Sequence, residues 1–133
     1  GSIKAVAYNN DKMVVEKEIK TAGKAKNIVL SADRDVINSG DDLSFVTVKI
    51  TDSDGNFCPL AANKIKFNVT GEGEIISVGN GNQISHESYK SNSRKTFNGL
   101  CLAIIGSKGD KGVIEVEASS PGLAADKITI KVD

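Results

Sequence analysis

The sequence predicts an all-β fold in which two antiparallel sheets pack face to face as a sandwich. Apolar and polar residues alternate with a period of two through most of the 133-residue chain, as in strands that have one buried and one wet face. Gly, Asp, Asn and Pro separate these segments at short intervals, as turns require. No stretch has convincing helical periodicity, and the nearest, residues 60–63, amounts to at most one turn.

The strands are predicted from this alternation. In the four clearest segments Val, Ile, Leu or Phe alternate with Lys, Glu, Thr or Asn, and these segments are residues 43–51, 64–70, 112–118 and 126–132. Two shorter strands are predicted over 28–32 and 74–78. Residues 100–105 are apolar on both faces, which predicts a central strand. About seven short strands at this spacing are typical of an immunoglobulin-like sandwich.

The turns between these strands have their own signals. Asp54-Gly55 lies directly after the strand over 43–51, and Asp-Gly favours a tight turn because glycine tolerates positive φ. Further turns are predicted at 71–73, 108–112 and 120–122, each of which contains glycine.

The first 25 residues form a separate unit in the sequence. Two short alternating segments, 3–8 and 13–19, flank the polar residues 9–12, which is a hairpin pattern. Residues 21–26 then read as a linker. We therefore predict two parts: residues 1–25 as the hairpin and linker that end a preceding immunoglobulin-like domain, and residues 26–133 as the sandwich.

The charge balance argues against binding to nucleic acid, and the lack of a long apolar run argues against insertion into a membrane. The chain has 17 basic and 17 acidic residues, whereas a nucleic-acid-binding domain usually has a basic excess that neutralises phosphates. No apolar run approaches the roughly 20 residues that cross a bilayer, so membrane insertion is not expected. No secretion signal is visible, and Gly1-Ser2 fits a chain that begins within a longer protein.

The two cysteines leave two interpretations open. Cys58 and Cys101 lack the spacing of a zinc or redox motif. They are either two small buried apolar side chains or one disulfide between strands, which requires Cα atoms within about 7 Å.

Two acidic segments raise the question of calcium. Residues 52–56 begin like a calcium-binding loop, but glycine occupies the fourth position and Asn63 the twelfth, where such loops need glycine at the sixth and glutamate at the twelfth. A tight turn is preferred. The second segment is the alternative candidate for a calcium site at the surface. It contains four aspartates before a predicted strand, Asp33, Asp35, Asp41 and Asp42. No cofactor is expected in the preferred interpretation.

Several segments resemble a known family. They include residues 30–34, 42–48 and 52–56, Val78-Gly79-Asn80-Gly81-Asn82, and residues 94–100, which read Arg-Lys-Thr-Phe-Asn-Gly-Leu. Together they resemble the C-terminal immunoglobulin-like domain of bacterial glycoside hydrolase family 2 enzymes of the β-galactosidase type. The resemblance covers roughly residues 26–133, and residues 1–25 look like the end of the preceding domain. It implies a parent enzyme that cleaves β-linked sugars with two glutamates on a separate barrel, and no catalytic residue transfers to this chain.

The candidate site is the long polar segment from Gly79 to Gly99. Long loops in compact domains are often functional, and this one contains the single histidine of the chain. The preferred interpretation is a compact surface loop pinned by Tyr89 and Phe97, with solvated charges. The alternative is a loop that faces a neighbouring domain or a sugar, with an aromatic ring stacking on the partner and polar groups forming hydrogen bonds to it. The candidate residues are Asn80, Asn82, His86, Glu87, Tyr89, Arg94 and Phe97.

The resemblance to this family implies a non-catalytic accessory domain of a secreted bacterial glycoside hydrolase, located in the periplasm or outside the cell. Its expected partners are the other domains of the parent enzyme. Adjacent Ser85, His86 and Glu87 do not make a catalytic triad, which needs proximity in space. The alternative function is a carbohydrate-binding module, although the chain has no tryptophan to form a sugar platform.

Overall fold

The structure, a computed structural model, describes residues 2–9, 12–20, 22–82, 87–88 and 90–133. These residues form strands and no helix. The strands are β1 (Ser2–Asn9), β2 (Lys12–Lys20), β3 (Asn27–Ala32), β4 (Val36–Ile37), β5 (Leu43–Thr51), β6 (Lys64–Gly71), β7 (Gly73–Gly79), β8 (Ser93–Lys95), β9 (Leu100–Ser107), β10 (Gly112–Ser119) and β11 (Asp126–Val132). In this part of the chain no helix is long and apolar enough to cross a membrane.

The strands pair into three sheets. A five-stranded sheet has the order β4-β11-β10-β6-β8, and a four-stranded sheet has the order β3-β5-β9-β7. All pairs in both sheets are antiparallel except β11 with β4. The predicted immunoglobulin-like β-sandwich is confirmed. Strands β1 and β2 pair with each other as an antiparallel hairpin, and their assignment to a preceding domain stays a prediction.

The core lies between the two larger sheets. Alternate residues of β5, namely Val46, Val48 and Ile50, are fully buried in one cluster with Ile65 and Phe67 of β6. Burial of each such side chain stabilises the fold by about 1.5–3 kcal/mol. The period-two pattern in the sequence therefore identifies the side chains that point into the core.

Two strands were not predicted, β4 and β8. Strand β4 has only two residues, too few for a periodic pattern. Strand β8 lies inside the segment that the sequence indicates as a loop. Its one buried residue is Arg94, so an arginine occupies the position where alternation would place an apolar residue, and the pattern is hidden.

Both cysteines are free thiols buried in the core. Of the two interpretations, the structure therefore supports two small buried side chains. Desolvation raises the pKa of the Cys101 thiol to about 12 and also raises the pKa of Cys58.

The aspartates considered for calcium use their oxygens within the protein. Asp42 binds the Arg34 guanidinium through both carboxylate oxygens, at 2.6 and 2.7 Å, and this contact lowers the pKa of Asp42 well below its usual range. Asp33 accepts the backbone N–H of Phe45 at 2.7 Å. No cluster of three or more potential metal ligands occurs among the described residues, so the calcium alternative gains no support.

The predicted linker is tied to one end of the sandwich. The Gly23 N–H donates to Asp52 Oδ2 at 2.8 Å, and the Lys26 N–H donates to the Thr51 carbonyl at 2.9 Å. Asp52 is 4% exposed and also accepts the Asp54 and Asn56 N–H groups of the tight turn. One carboxylate thus binds both the tight turn and the linker that leads into the domain.

These hydrogen bonds make Asp52 a source of acid sensitivity. Its pKa falls from 3.8 to about 2, chiefly because of the Gly23 hydrogen bond. Because the folded pKa lies below the unfolded value, the ionised carboxylate stabilises the fold above pH 4, and this contribution is lost as the pH falls through 2. We expect Asp52→Asn to lower the melting temperature at pH 7 by several degrees and to flatten its decline between pH 4 and 2.

The matched control for this prediction is Asp54→Asn, because Asp54 is an exposed residue of the same turn. Thermal unfolding followed by circular dichroism measures both variants. An Asp52→Asn variant with the same acid profile as the unmodified chain would contradict the assignment.

Candidate functional site, the β7–β8 loop and the adjoining sheet face

The candidate loop connects β7, which ends at Gly79, to β8, which begins at Ser93. Five of the seven candidate residues lie in the part that the structure describes. His86 and Tyr89 fall outside the described residues, so their proposed contacts stay predictions. The described candidates divide into an internal group and one exposed ring.

Arg94 is the centre of the internal group. Its side chain is 1% exposed, so the preferred interpretation, in which the loop charges are solvated, is wrong for this residue. Nη1 donates to the Glu87 carbonyl at 3.1 Å, and Nη2 donates to Asn80 Oδ1 at 3.2 Å. A buried guanidinium must form such bonds to offset the loss of its hydration. The buried Arg94 side chain therefore binds the loop at both Asn80 and Glu87.

Asn80 and Glu87 complete this internal group. Asn80 Nδ2 donates to the Lys95 carbonyl at 2.6 Å, and Asn80 Oδ1 accepts the Asn82 N–H at 2.9 Å. Glu87 Oε2 accepts the Lys95 N–H at 3.0 Å. The polar groups expected to meet a partner thus bond the two ends of the loop to β8. In the structure these groups form hydrogen bonds to main-chain atoms of the loop and of β8.

The segment after Arg94 makes a tight turn that fixes the start of β9. Phe97 pairs with Leu100 in an isolated antiparallel bridge, with positive φ at the two residues between, 53° at Asn98 and 77° at Gly99. Asn-Gly is the preferred pair for such a turn. Thr96, which is buried, donates from Oγ1 to the Ala61 carbonyl at 2.9 Å. The turn is therefore tied to the sandwich.

Phe97 is the exposed member of the candidate set. It is 40% exposed, and its bridge partner Leu100 is 39% exposed. Leu100 begins β9, whose outward residues alternate with the buried Cys101, Ala103 and Ile105. Phe97 thus marks the edge of a larger surface rather than an isolated ring.

That surface is the outer face of the four-stranded sheet, which we call the apolar face. Phe45 lies opposite Ile104 in the β5–β9 ladder, and Leu43 and Ile76 meet over Gly106. We define the apolar face by Leu43, Phe45, Ile76, Leu100, Leu102 and Ile104. The sequence contains a signal of this face, since residues 100–105 are apolar on both faces, but the pattern by itself predicts only a central strand.

Two shallow depressions lie near these elements. One, of about 230 Å³, lies beside the apolar face and is lined by Thr47, Gly79, Asn80, Gly81, Leu100, Cys101 and Leu102. The other, of about 570 Å³, is lined by Lys64, Lys66, Asn92, Ser93, Ser119, Ser120 and Pro121. Neither lining includes a carboxylate or a histidine, so neither offers the paired acids that glycoside cleavage uses.

Fold and surface together define an immunoglobulin-like sandwich domain with an internally bonded loop beside an apolar sheet face. The model of a family described as glycoside hydrolase family 2 C-terminal domain 5 matches residues 28–129. The chain belongs to this family, and the resemblance found in the sequence is confirmed.

The relatives of the chain are much longer proteins. It is 42% identical over its whole length to a β-galactosidase of Bacteroides ovatus, of which it covers 16%. A glycosyl hydrolase family 2 member from Bacteroides cellulosilyticus has 40% identity and a TM-score of 0.94, with 17% of that chain covered. A β-glycosidase from Bacteroides vulgatus has 26% identity and a TM-score of 0.91, with 17% covered. The chain thus corresponds to a C-terminal domain of such enzymes.

Proposed function

We propose that the chain is a non-catalytic accessory domain that supports a family 2 glycoside hydrolase by packing against its other domains. The apolar face carries this proposal, because an outer sheet face with six large apolar residues is typical of a surface that another protein surface covers. The internal use of Asn80, Glu87 and Arg94 adds support, since these groups bond the loop itself.

The parent enzyme is proposed to act on β-galactosides outside the cytoplasm. The support is the name of the Bacteroides ovatus relative, a β-galactosidase, and its 42% identity to this chain. In this arrangement the catalytic glutamates belong to the barrel, and this domain affects turnover only through the stability of the whole enzyme.

A deletion in the full-length enzyme tests the accessory role. We expect removal of residues 27–133 to leave kcat on a small aryl β-galactoside within about twofold, because this domain contributes no reacting group. The same deletion should shorten the half-life of activity at elevated temperature at least severalfold, because it uncovers apolar surface on the remaining domains. The intact enzyme, assayed in parallel, is the reference.

Two results would contradict the accessory role. A fall of kcat by tenfold or more in a deletion variant with native circular dichroism would place this domain in the active site. Unchanged kcat and half-life, with lost binding to a β-galactose-containing polysaccharide, would instead identify a carbohydrate-binding module.

A further inference from the structure

The two outer faces of the sandwich differ in chemistry. Charged and polar residues dominate the outer face of the five-stranded sheet, where Glu115 and Glu117 of β10 lie beside Lys127 of β11. The outer face of the four-stranded sheet has Phe45, Leu102 and Ile104 at its centre, on the two inner strands β5 and β9. The outer face of an antiparallel sheet is usually polar and exposed to solvent. The apolar face departs from this rule and therefore needs an explanation.

The apolar face has the size of an inter-domain contact. The apolar face lies on three strands, β5, β7 and β9, which are spaced about 4.8 Å apart over about seven residues each, so its footprint is roughly 300 Å². Interfaces between domains of one chain bury about 600–1,500 Å² in total, or half of that on each side. A single domain surface laid on the four-stranded sheet would therefore cover most of the apolar face.

The position of the linker favours one occupant over the others. The Lys26 N–H bonds the Thr51 carbonyl at the end of β5, and Thr51 is two residues beyond Lys49, which pairs with Leu100. The chain that leads into the sandwich is thus fixed roughly 10 Å from one end of the apolar face. A domain attached there has an effective concentration in the millimolar range, far above that of a second copy at micromolar concentration.

We propose that the apolar face packs against the domain that precedes residue 22 in the parent polypeptide, an inference that rests on the accessory role proposed above. The greater part of the relatives lies outside the segment that this chain matches. The Gly23–Asp52 and Lys26–Thr51 hydrogen bonds fix the direction from which that domain approaches. The contact then holds the two domains in one orientation.

Thiol labelling of the full-length enzyme tests this packing. Phe45→Cys and Leu100→Cys place a thiol on the apolar face, at residues that are 40% and 39% exposed in the described chain. Val113→Cys is the matched control, because Val113 is 48% exposed on the outer face of the opposite sheet. The buried Cys58 and Cys101 are a background common to all three variants.

We expect maleimide to modify the Phe45→Cys and Leu100→Cys thiols at least tenfold more slowly than the Val113→Cys thiol, after each rate is divided by its value in guanidinium-unfolded enzyme. Equal normalised rates would overturn the proposal. Protection that disappears on dilution, together with a dimer in sedimentation, would also overturn it by identifying a second copy as the occupant.

Labelling without substrate separates this inference from the proposed function. Failure of the accessory role would be seen as lost turnover in the deletion variant and would leave the labelling rates unchanged. Failure of the packing would be seen as fast labelling of Phe45→Cys in an enzyme whose deletion behaves as expected.

Discussion

Gly99→Ala is expected to destabilise the domain by about 3–5 kcal/mol, a loss that denaturant unfolding of the chain will measure. Gly99 has φ 77°, where an L-residue costs about 1–2 kcal/mol. In addition, a Cβ at this position would lie 2.2 Å from the Cys58 carbonyl oxygen and 2.8 Å from the Phe57 ring. The backbone must therefore shift, and the Ile50 N–H bond to the Gly99 carbonyl at 3.0 Å must weaken with it.

Gly122→Ala separates the two causes of this loss. Gly122 has nearly the same φ, 79°, but a Cβ there would have no other atom within 4 Å. We expect this variant to lose only about 1 kcal/mol, the cost of the conformation alone. Equal losses in the two variants would show that close approach to Cys58 does not constrain the turn.

Arg94→Ala is expected to lower the free energy of unfolding by about 2–4 kcal/mol. The substitution empties the space of a large buried side chain and leaves the Glu87 carbonyl and Asn80 Oδ1 without the guanidinium donors. Because those bonds hold the ends of the β7–β8 loop, urea unfolding should report the loss.

Two variants control for this interpretation. Arg94→Met keeps most of the buried stem and removes the donors, so its loss should be smaller, about 1–2 kcal/mol. Lys95→Ala changes the exposed neighbour and should stay within about 0.5 kcal/mol. An Arg94→Ala variant as stable as Lys95→Ala would contradict a supporting role for the buried arginine.

The strands were predictable where apolar side chains carry the alternation. Strands β5 and β11 have the predicted bounds, 43–51 and 126–132. Every second residue of these strands packs into one core, and this produces the alternation seen in the sequence. Strand β8 was not predictable because its inward residue is Arg94. The Arg94 side chain bonds residues 80 and 87, and such polar contacts have no periodic signature in the sequence.

The candidate site was only partly predictable for a similar reason. Composition marked the loop correctly as unusual, but the partners of its polar groups are backbone atoms whose positions follow from the fold. Asn80 and Glu87 bond Lys95 through its main chain, a contact that no residue type reveals. The apolar face had a visible signal in Leu100, Leu102 and Ile104, and the exposure of Leu100 shows that a central strand need not be covered within its own domain.

The burial of both thiols determines how the folded domain reacts with disulfides and oxidants. With a pKa of about 12 for Cys101, fewer than about 1 in 10⁴ Cys101 side chains is a thiolate at neutral pH, and only the thiolate attacks a disulfide. Burial also keeps oxidants from both sulfurs. In the folded domain neither thiol is therefore available to form a disulfide with another protein.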